Sequence, residues 1–268
     1  MEKYNLESNR EMWNEWATLH AGSEFYDVES FKKGKCSLYP VAVEEMGDVN
    51  GKSLQHLMCH FGKDTLSWAR RGAKITGMDF SDNAINIARS LSEELGLDAE
   101  FICCNLYDLP QHLDKQFDIV FTSAGVLCWL PDLEKWGRVI AQFLNSGGFF
   151  YLLEGHPFLN MLLDEDPNAL KPEILRSYFF TREPEVYQSE ASYAGVKTSK
   201  VHTGKEWTHS LGDIVNSLIS TGLRIEFLHE YPYIFFKAMP YMVQDYQRAW
   251  RIPGDKIPLI FTLKATKP

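Results

Sequence analysis

Short hydrophobic runs alternate with amphipathic stretches through the middle of the chain. The hydrophobic runs predict β-strands at 54–59, 73–79, 100–104, 117–123 and 149–154. The amphipathic stretches predict helices at 63–71, 81–95 and 131–144. Nearly continuous apolar strands separated by helices are typical of a parallel sheet covered on both faces, so the pattern predicts an α/β fold.

The regions before and after this central part have a different pattern of hydrophobic and polar residues. Helices are predicted at 9–20 and 40–47, and the pattern after residue 208 predicts a helix at 211–221 and strands at 223–231 and 258–264. The stretch between Gly155 and Lys205 is rich in aromatic residues and has no strand–helix alternation. A long insertion of this kind is usually a lid or a binding element. We therefore expect a helical cap at 1–50, a core at 51–154, a lid at 155–208 and the rest of the core at 209–268.

Composition and charge exclude several classes of partner. The formal net charge of −9 argues against binding to nucleic acid or to an anionic membrane, because phosphate contacts need clustered Lys and Arg. The N-terminus has no apolar signal-peptide core, and no apolar run approaches the ~20 residues that span a bilayer. The odd set of five cysteines favours reduced thiols, and we expect a cytoplasmic protein.

Residues at the predicted strand ends carry the candidate chemistry. The stretch from Gly51 to Gly62 contains the first strand and the tight turn after it. Asp79 ends the second strand about 20 residues after that turn, where a carboxylate accepts ribose hydroxyls. Phe80 could cover one side of an adenine, and Asn105 could accept a hydrogen bond from its amino group. The alternatives are a capping Asp, a core Phe and a turn-forming Asn. A zinc site is not favoured, because a strand directs His56 and Cys59 to opposite faces and no second ligand pair follows.

With these motifs the sequence resembles the class I S-adenosylmethionine-dependent methyltransferases, specifically a bacterial small-molecule subgroup with a Cys-His-Phe-Gly first motif. His56 takes the acidic place of the family's first motif, and Met58, His60 and Gly62 take its three glycine places. Asp79 matches the ribose-binding acid, and Leu144-Asn-Ser-Gly-Gly matches the loop before the fifth strand. The resemblance implies a Rossmann-like fold, with a seven-stranded, mostly parallel sheet whose last strand is antiparallel.

The resemblance also implies S-adenosylmethionine as cofactor, S-adenosylhomocysteine as product and a small-molecule methyl acceptor. A pyrophosphate needs glycines for close backbone approach, whereas this donor has no phosphate and tolerates a bulkier turn. We expect its binding residues to be Trp13, Trp16, His56, Met58, Cys59, His60, Gly62, Asp79, Phe80, Ser81, Asn105, Leu106, Tyr107, Ser123, Ala124 and Gly125. We expect the acceptor to contact Trp129, Glu154, His156, Tyr178, Tyr193 and His209.

His156 follows the fifth strand and is the first choice for a general base, with His209 and His20 as rivals. Two other functions stay open from the sequence. One is a non-catalytic ligand-binding protein with the S-adenosylmethionine fold, favoured by the degenerate turn. The other is an NAD(P)-dependent oxidoreductase, which the missing glycine fingerprint disfavours.

Overall fold

A computed structural model describes residues 6–162, 166, 168–246 and 248–268. Its strands are β1 (Ser53–Leu57), β2 (Lys74–Asp79), β3 (Ala99–Cys103), β4 (Phe117–Thr122), β5 (Leu144–Gly155), β6 (Glu185–Ala191), β7 (Lys197–Glu206), β8 (Arg224–Tyr231), β9 (Val243–Gln244), β10 (Trp250–Arg251) and β11 (Ile260–Thr266). Its helices are α1 (Glu7–Ala21), α2 (Val28–Lys32), α3 (Pro40–Met46), α4 (Lys63–Ala69), α5 (Asp82–Leu95), α6 (Leu109–His112), α7 (Leu133–Phe143), α8 (Pro157–Leu162) and α9 (Leu211–Ile219).

Seven strands form one sheet in the order β3-β2-β1-β4-β5-β11-β8. Strand β1 pairs in parallel with β2 and β4, whereas β11 runs antiparallel to both β5 and β8. The predicted seven-stranded, mostly parallel sheet with an antiparallel last strand is therefore confirmed. Because β1, β2 and β4 are parallel, the residues that follow them meet at one edge of the sheet, where open α/β sheets bind ligands.

Helices cover both faces of this sheet, as predicted. Alternate residues of β5 show the division, because successive strand side chains point to opposite faces. Phe150 and Leu152 pack with α7 and α9, whereas Tyr151 and Leu153 pack with α3 and Trp68 of α4. The interior is aromatic: Trp68, Trp136 and Tyr151 are among the largest fully buried side chains.

The insertion contains regular structure that the pattern did not predict. Strands β6 and β7 form an antiparallel hairpin, and α8 precedes it. Residues 163–165 and 167 of the expected lid, like residues 1–5 of the expected cap, lie outside the described part of the chain.

The expected loop at 145–148 is also different, because it lies within β5. Leu144 already pairs with Phe117 of β4, so the chain joins the sheet before the glycines. A Cβ at Gly148 would lie 2.9 Å from the carbonyl oxygen of Asp118, so this position needs glycine for close backbone approach.

Within the described ranges, no helix is long and apolar enough to cross a bilayer. The same ranges contain no group of three or more His, Cys, Asp or Glu side chains arranged to hold a metal ion. All five cysteines are free thiols.

Candidate active site

The turn after β1 has the backbone conformation of a glycine-rich loop, although only one of the three glycine positions is occupied by glycine. Met58 has φ 56°, His60 has φ 52° and Gly62 has φ 79°. Positive φ costs a residue with a side chain about 1–2 kcal/mol relative to the right-handed region. The three alternating positions that carry glycine in the resembling family thus all adopt the left-handed conformation here.

Local space explains why glycine remains only at position 62. A Cβ on Gly62 would lie 2.9 Å from Cβ of Ala88 and 3.0 Å from the ring of Phe101. Met58 instead packs beside Trp16 and Trp129, and the His60 ring lies 5.3 Å from the ring of Trp13. The two side chains that replace glycines therefore contact a group of aromatic residues, called the aromatic enclosure below. Its members are Trp13, Trp16, His20, Tyr26, His60, Trp129 and Tyr193.

Asp79 sits at the end of β2 beside this turn. Its Oδ2 accepts a hydrogen bond from the backbone N–H of His60 at 2.8 Å, and its Oδ1 accepts one from Ser81 N–H at 2.9 Å. Burial raises the pKa of the Asp79 carboxyl to about 6, although these backbone donors oppose the shift. A buried carboxylate in this state gains from further hydroxyl donors, which a ribose would supply.

The residues expected beside an adenine hold their own loops. Ser81 caps α5 by accepting Ala84 N–H, and Asn105 accepts Tyr107 N–H at 2.9 Å. Leu106 is buried in the core. Phe80, directly after β2, and Tyr107, in the segment after β3, are partly exposed. Asn105 therefore has the turn-forming role that the sequence left as an alternative, and its part in binding stays a prediction.

Trp13 lies at the centre of the enclosure above the turn. Its ring centroid is 5.3 Å from those of Trp16, His60 and Trp129, and 6.2 Å from that of Tyr193. Thus four residues expected on the donor side and two expected on the acceptor side come together: Trp13, Trp16, Met58, His60, Trp129 and Tyr193.

Hydrogen bonds join α1 to the hairpin, so the two elements form one cover over the turn. Asn9 donates to the carbonyl of Lys205 at 2.8 Å and accepts its N–H at 2.8 Å. Glu15 lies 2.6 Å from Nε2 of His202. On its other side α1 meets the start of α5, where Ser81 donates to Asn14 at 2.7 Å.

His20 also belongs to the enclosure. Its ring stacks on Tyr26 at 4.9 Å, and its Nδ1 lies 3.3 Å from Nε2 of His60. Burial lowers the pKa of His20 to about 4, so the imidazole is neutral at pH 7. In the described structure, Nε2 of His20 and the indole N–H of Trp16 are buried without a hydrogen-bond partner. A polar ligand or an ordered water can satisfy such atoms.

Glu154 supports the loop after β4. Its carboxylate accepts backbone N–H groups from Gly125, Val126, Leu127 and Gly155. The Gly125 carbonyl in turn accepts the indole N–H of Trp129 at 2.9 Å. Glu154 thus fixes the loop that contains Ala124 and Gly125, both of which are exposed.

The other expected histidines lie in different surroundings. His156 is 2% exposed, accepts Phe158 N–H on Nδ1 and has Nε2 2.9 Å from Glu230. Nε2 of His209 lies 2.7 Å from the Leu130 carbonyl, and its ring stacks on Phe180. Burial lowers the pKa of both imidazoles. Tyr178 accepts Leu211 N–H and packs against Phe158, outside the enclosure.

His56 lies beneath the turn and links three elements. Nδ1 is 2.8 Å from Oγ1 of Thr65, and Nε2 is 3.2 Å from Oγ of Ser123. Burial lowers its pKa to about 3, so His56 is neutral. Cys59 is buried among the residues of α4 and α5.

Two functional candidates beside this turn were missed from the sequence. Asp64, two residues after Gly62, accepts the hydroxyl of Ser37 at 2.6 Å. Tyr187 of the hairpin donates to Glu206 at 2.9 Å and packs on the Trp16–Trp129 cluster. Asp64 could have been found from its position directly after the turn. Tyr187 had no sequence signal, because its position depends on the hairpin.

Comparison with known proteins agrees with this geometry. The profile of the family described as Methyltransferase domain matches residues 56–152. A ubiquinone biosynthesis O-methyltransferase of Bordetella pertussis is 27% identical over 215 residues, which cover 74% of this chain and 88% of that protein. The protein is an S-adenosylmethionine-dependent methyltransferase. The Bordetella avium protein of the same name is 27% identical over 186 residues, covering 66% of this chain and 77% of its own.

Solved structures agree with the fold of this methyltransferase. An S-adenosylmethionine-dependent methyltransferase from Clostridium acetobutylicum superimposes with a TM-score of 0.58 at 15% identity, covering 95% of this chain and 98% of that chain. One from Mesorhizobium loti gives a TM-score of 0.56 at 18% identity, covering 88% and 99%. At such identities the likeness concerns the fold alone.

The residues at the turn fit the cofactor, S-adenosylmethionine. The buried carboxylate of Asp79 suits the ribose, and the bulky turn suits a donor without phosphates. The orphaned nitrogens of Trp16 and His20 lie in the enclosure above that turn, where the polar end of a ligand can satisfy them.

Proposed function

We propose that the methyltransferase acts on a small molecule, with a hydroxyl oxygen as the methyl acceptor. The acceptor binds between α1, the β6–β7 hairpin and the loop after β4. The observation that carries this proposal is the aromatic enclosure around Trp13, directly above the turn beside Asp79. Aromatic walls bind apolar or cationic small molecules, and the Bordetella relatives, which are named as O-methyltransferases, favour oxygen as the acceptor atom.

On the donor side, Asp79 binds the ribose and Phe80 with Asn105, Leu106 and Tyr107 surrounds the adenine. The turn at 58–62 and the loop at Ser123, Ala124 and Gly125 surround the methionine end. When bound, the cofactor supplies an electrophilic methyl group on a sulfonium. The chain has to hold the acceptor in line with that group, exclude water and accept a proton from the acceptor hydroxyl.

The cap at 1–50 and the lid at 155–208 exclude water in this proposal. The hydrogen bonds between Asn9 and Lys205 support a joint movement of α1 and the hairpin. Of the three histidines considered as a base, His20 has an unpartnered nitrogen within the enclosure, whereas His156 lies outside it beside Phe158 and Glu230, and His209 contacts the Leu130 carbonyl. We therefore assign the proton-accepting role to His20.

Two measurements test the proposed function. In a thermal-shift panel, S-adenosylmethionine and S-adenosylhomocysteine should raise the melting temperature and NAD should not. Incubation with S-adenosylmethionine and a panel of small phenols, catechol among them, should release S-adenosylhomocysteine, detected by chromatography. Binding of the cofactor without turnover of any hydroxyl compound, but with turnover of amines or thiols, would overturn the choice of acceptor atom.

A further inference from the structure

The first strand carries no acid at the place where the resembling family has one. His56 occupies that place, is neutral at pH 7 and has both ring nitrogens engaged by Thr65 and Ser123. It therefore brings no negative charge to the turn. The methionine end of S-adenosylmethionine carries an ammonium group, and a buried cation needs a partner of opposite charge.

Among the described residues, three carboxylates adjoin the turn and the loop after β4, and two of them accept backbone N–H groups. Glu154 accepts four backbone N–H groups, and Asp79 accepts two on the ribose side of the turn. The third is Asp64, in the first turn of α4. It accepts the hydroxyl of Ser37 at 2.6 Å. The hydroxyls of Ser37 and Ser123 oppose the rise that burial causes in its pKa, and Ser123 also lies 3.2 Å from Nε2 of His56.

Asp64 has the surroundings of a counter-ion site. Burial raises its pKa, and within the described chain no Lys or Arg forms an ion pair with it. The neighbouring Lys63 directs its ammonium group to the backbone carbonyl of Tyr26. In the enclosure above, Trp16 is 4% exposed and its indole N–H has no hydrogen-bond partner among the described residues, so a donor suited to a ligand carboxylate is available as well.

We propose that Asp64 replaces the acid missing at position 56 and binds the α-ammonium group of S-adenosylmethionine. Asp64 lies eight positions after His56 in the sequence. Oγ1 of Thr65, the residue after Asp64, lies 2.8 Å from Nδ1 of His56, so both positions adjoin the same turn. This inference rests on the proposed donor site at the turn. It adds the residue that recognises the amino-acid end of the donor.

Calorimetric titration of three ligands into wild type and Asp64→Asn tests the proposal. S-adenosylhomocysteine carries the ammonium and the carboxylate, decarboxylated S-adenosylmethionine keeps only the ammonium, and 5′-methylthioadenosine has neither. We expect Asp64→Asn to weaken the first two ligands about 10- to 100-fold, because a charge-assisted hydrogen bond is lost. The affinity for 5′-methylthioadenosine should change less than about twofold.

Glu134→Gln is the matched control, because it removes one exposed acid from the first turn of α7. It should leave all three affinities unchanged. If Asp64→Asn weakens the affinity for 5′-methylthioadenosine as much as that for S-adenosylhomocysteine, Asp64 only supports the turn and the proposal fails. Unchanged affinity for S-adenosylhomocysteine would also overturn the proposal. If wild type binds none of the three ligands, the donor site itself is wrong.

A ligand-side test does not depend on the folding of the variant. The desamino analogue of S-adenosylhomocysteine should bind wild type about 10- to 100-fold more weakly than the parent compound. Equal affinity for the two compounds would overturn the assignment of Asp64, while leaving the donor site intact.

Discussion

The left-handed backbone at His60 predicts that glycine replaces it better than alanine does. His60→Ala and His60→Gly lose the same ring contacts with Trp13 and Tyr26, so their difference isolates the Cβ. At φ 52° an alanine carries about 1–2 kcal/mol of strain that glycine avoids. Glycine in turn loses about 0.5–1 kcal/mol more backbone entropy on folding. We therefore expect His60→Gly to unfold with a free energy about 0.5–1 kcal/mol higher than His60→Ala.

Urea unfolding followed by circular dichroism measures this difference. Cys59 provides the control, because it lies between Met58 and His60 but is not among the residues with positive φ. At Cys59 the order should reverse, with the alanine variant more stable by about 0.5–1 kcal/mol. If alanine is at least as stable as glycine at position 60, the turn does not have the glycine-like backbone on which the site depends.

Two further predictions concern the cover and the opposite side of the sheet. Asn9→Ala should lower the hydrogen-exchange protection of the Lys205 amide and cost about 1–3 kcal/mol, because it removes two hydrogen bonds to partly buried backbone groups. Glu11→Ala breaks only an exposed ion pair with Lys200 and should cost under about 1 kcal/mol. Burial alone would raise the pKa of Glu45, but hydrogen bonds from His229 and two tyrosines outweigh it and lower the pKa. The stability from Glu45 is therefore present above its unfolded pKa and lost as pH falls through the lower folded value. Glu45→Gln should have a lower free energy of unfolding than wild type at pH 7. Urea unfolding at pH 4 should show a smaller difference in this free energy between the two proteins.

The core could be predicted from the sequence because its signals are local. Helix α5 has the predicted end at Leu95, with Ser81 as its cap and Gly96 in the left-handed conformation after it. The apolar runs of the parallel strands likewise gave the sheet and the edge at which the site lies. The place of Asp79 at the end of β2 was also predicted, and its role in binding stays a prediction.

The cover depends on contacts between distant residues, which no periodicity encodes. Asn9 and Lys205 are 196 positions apart, and their paired hydrogen bonds decide where the hairpin lies. The role of an individual polar side chain was equally hidden. Glu154 lies near the end of β5 and Asn105 lies just after β3, where functional residues are often found, yet their oxygens accept backbone N–H groups of neighbouring loops. His156 follows the fifth strand as predicted, but its Nδ1 accepts Phe158 N–H and its Nε2 lies 2.9 Å from Glu230, outside the enclosure.

Calorimetric titration of S-adenosylhomocysteine into wild type and Asp79→Ala tests the donor site most directly. Loss of charge-assisted hydrogen bonds to two ribose hydroxyls should weaken binding at least about 100-fold. The pKa of Asp79 near 6 also predicts that wild-type affinity falls as pH drops below that value, because the protonated carboxyl is a poorer acceptor. Circular dichroism should show that the variant keeps its fold. Undiminished affinity in a folded Asp79→Ala variant would contradict the assignment of the donor site.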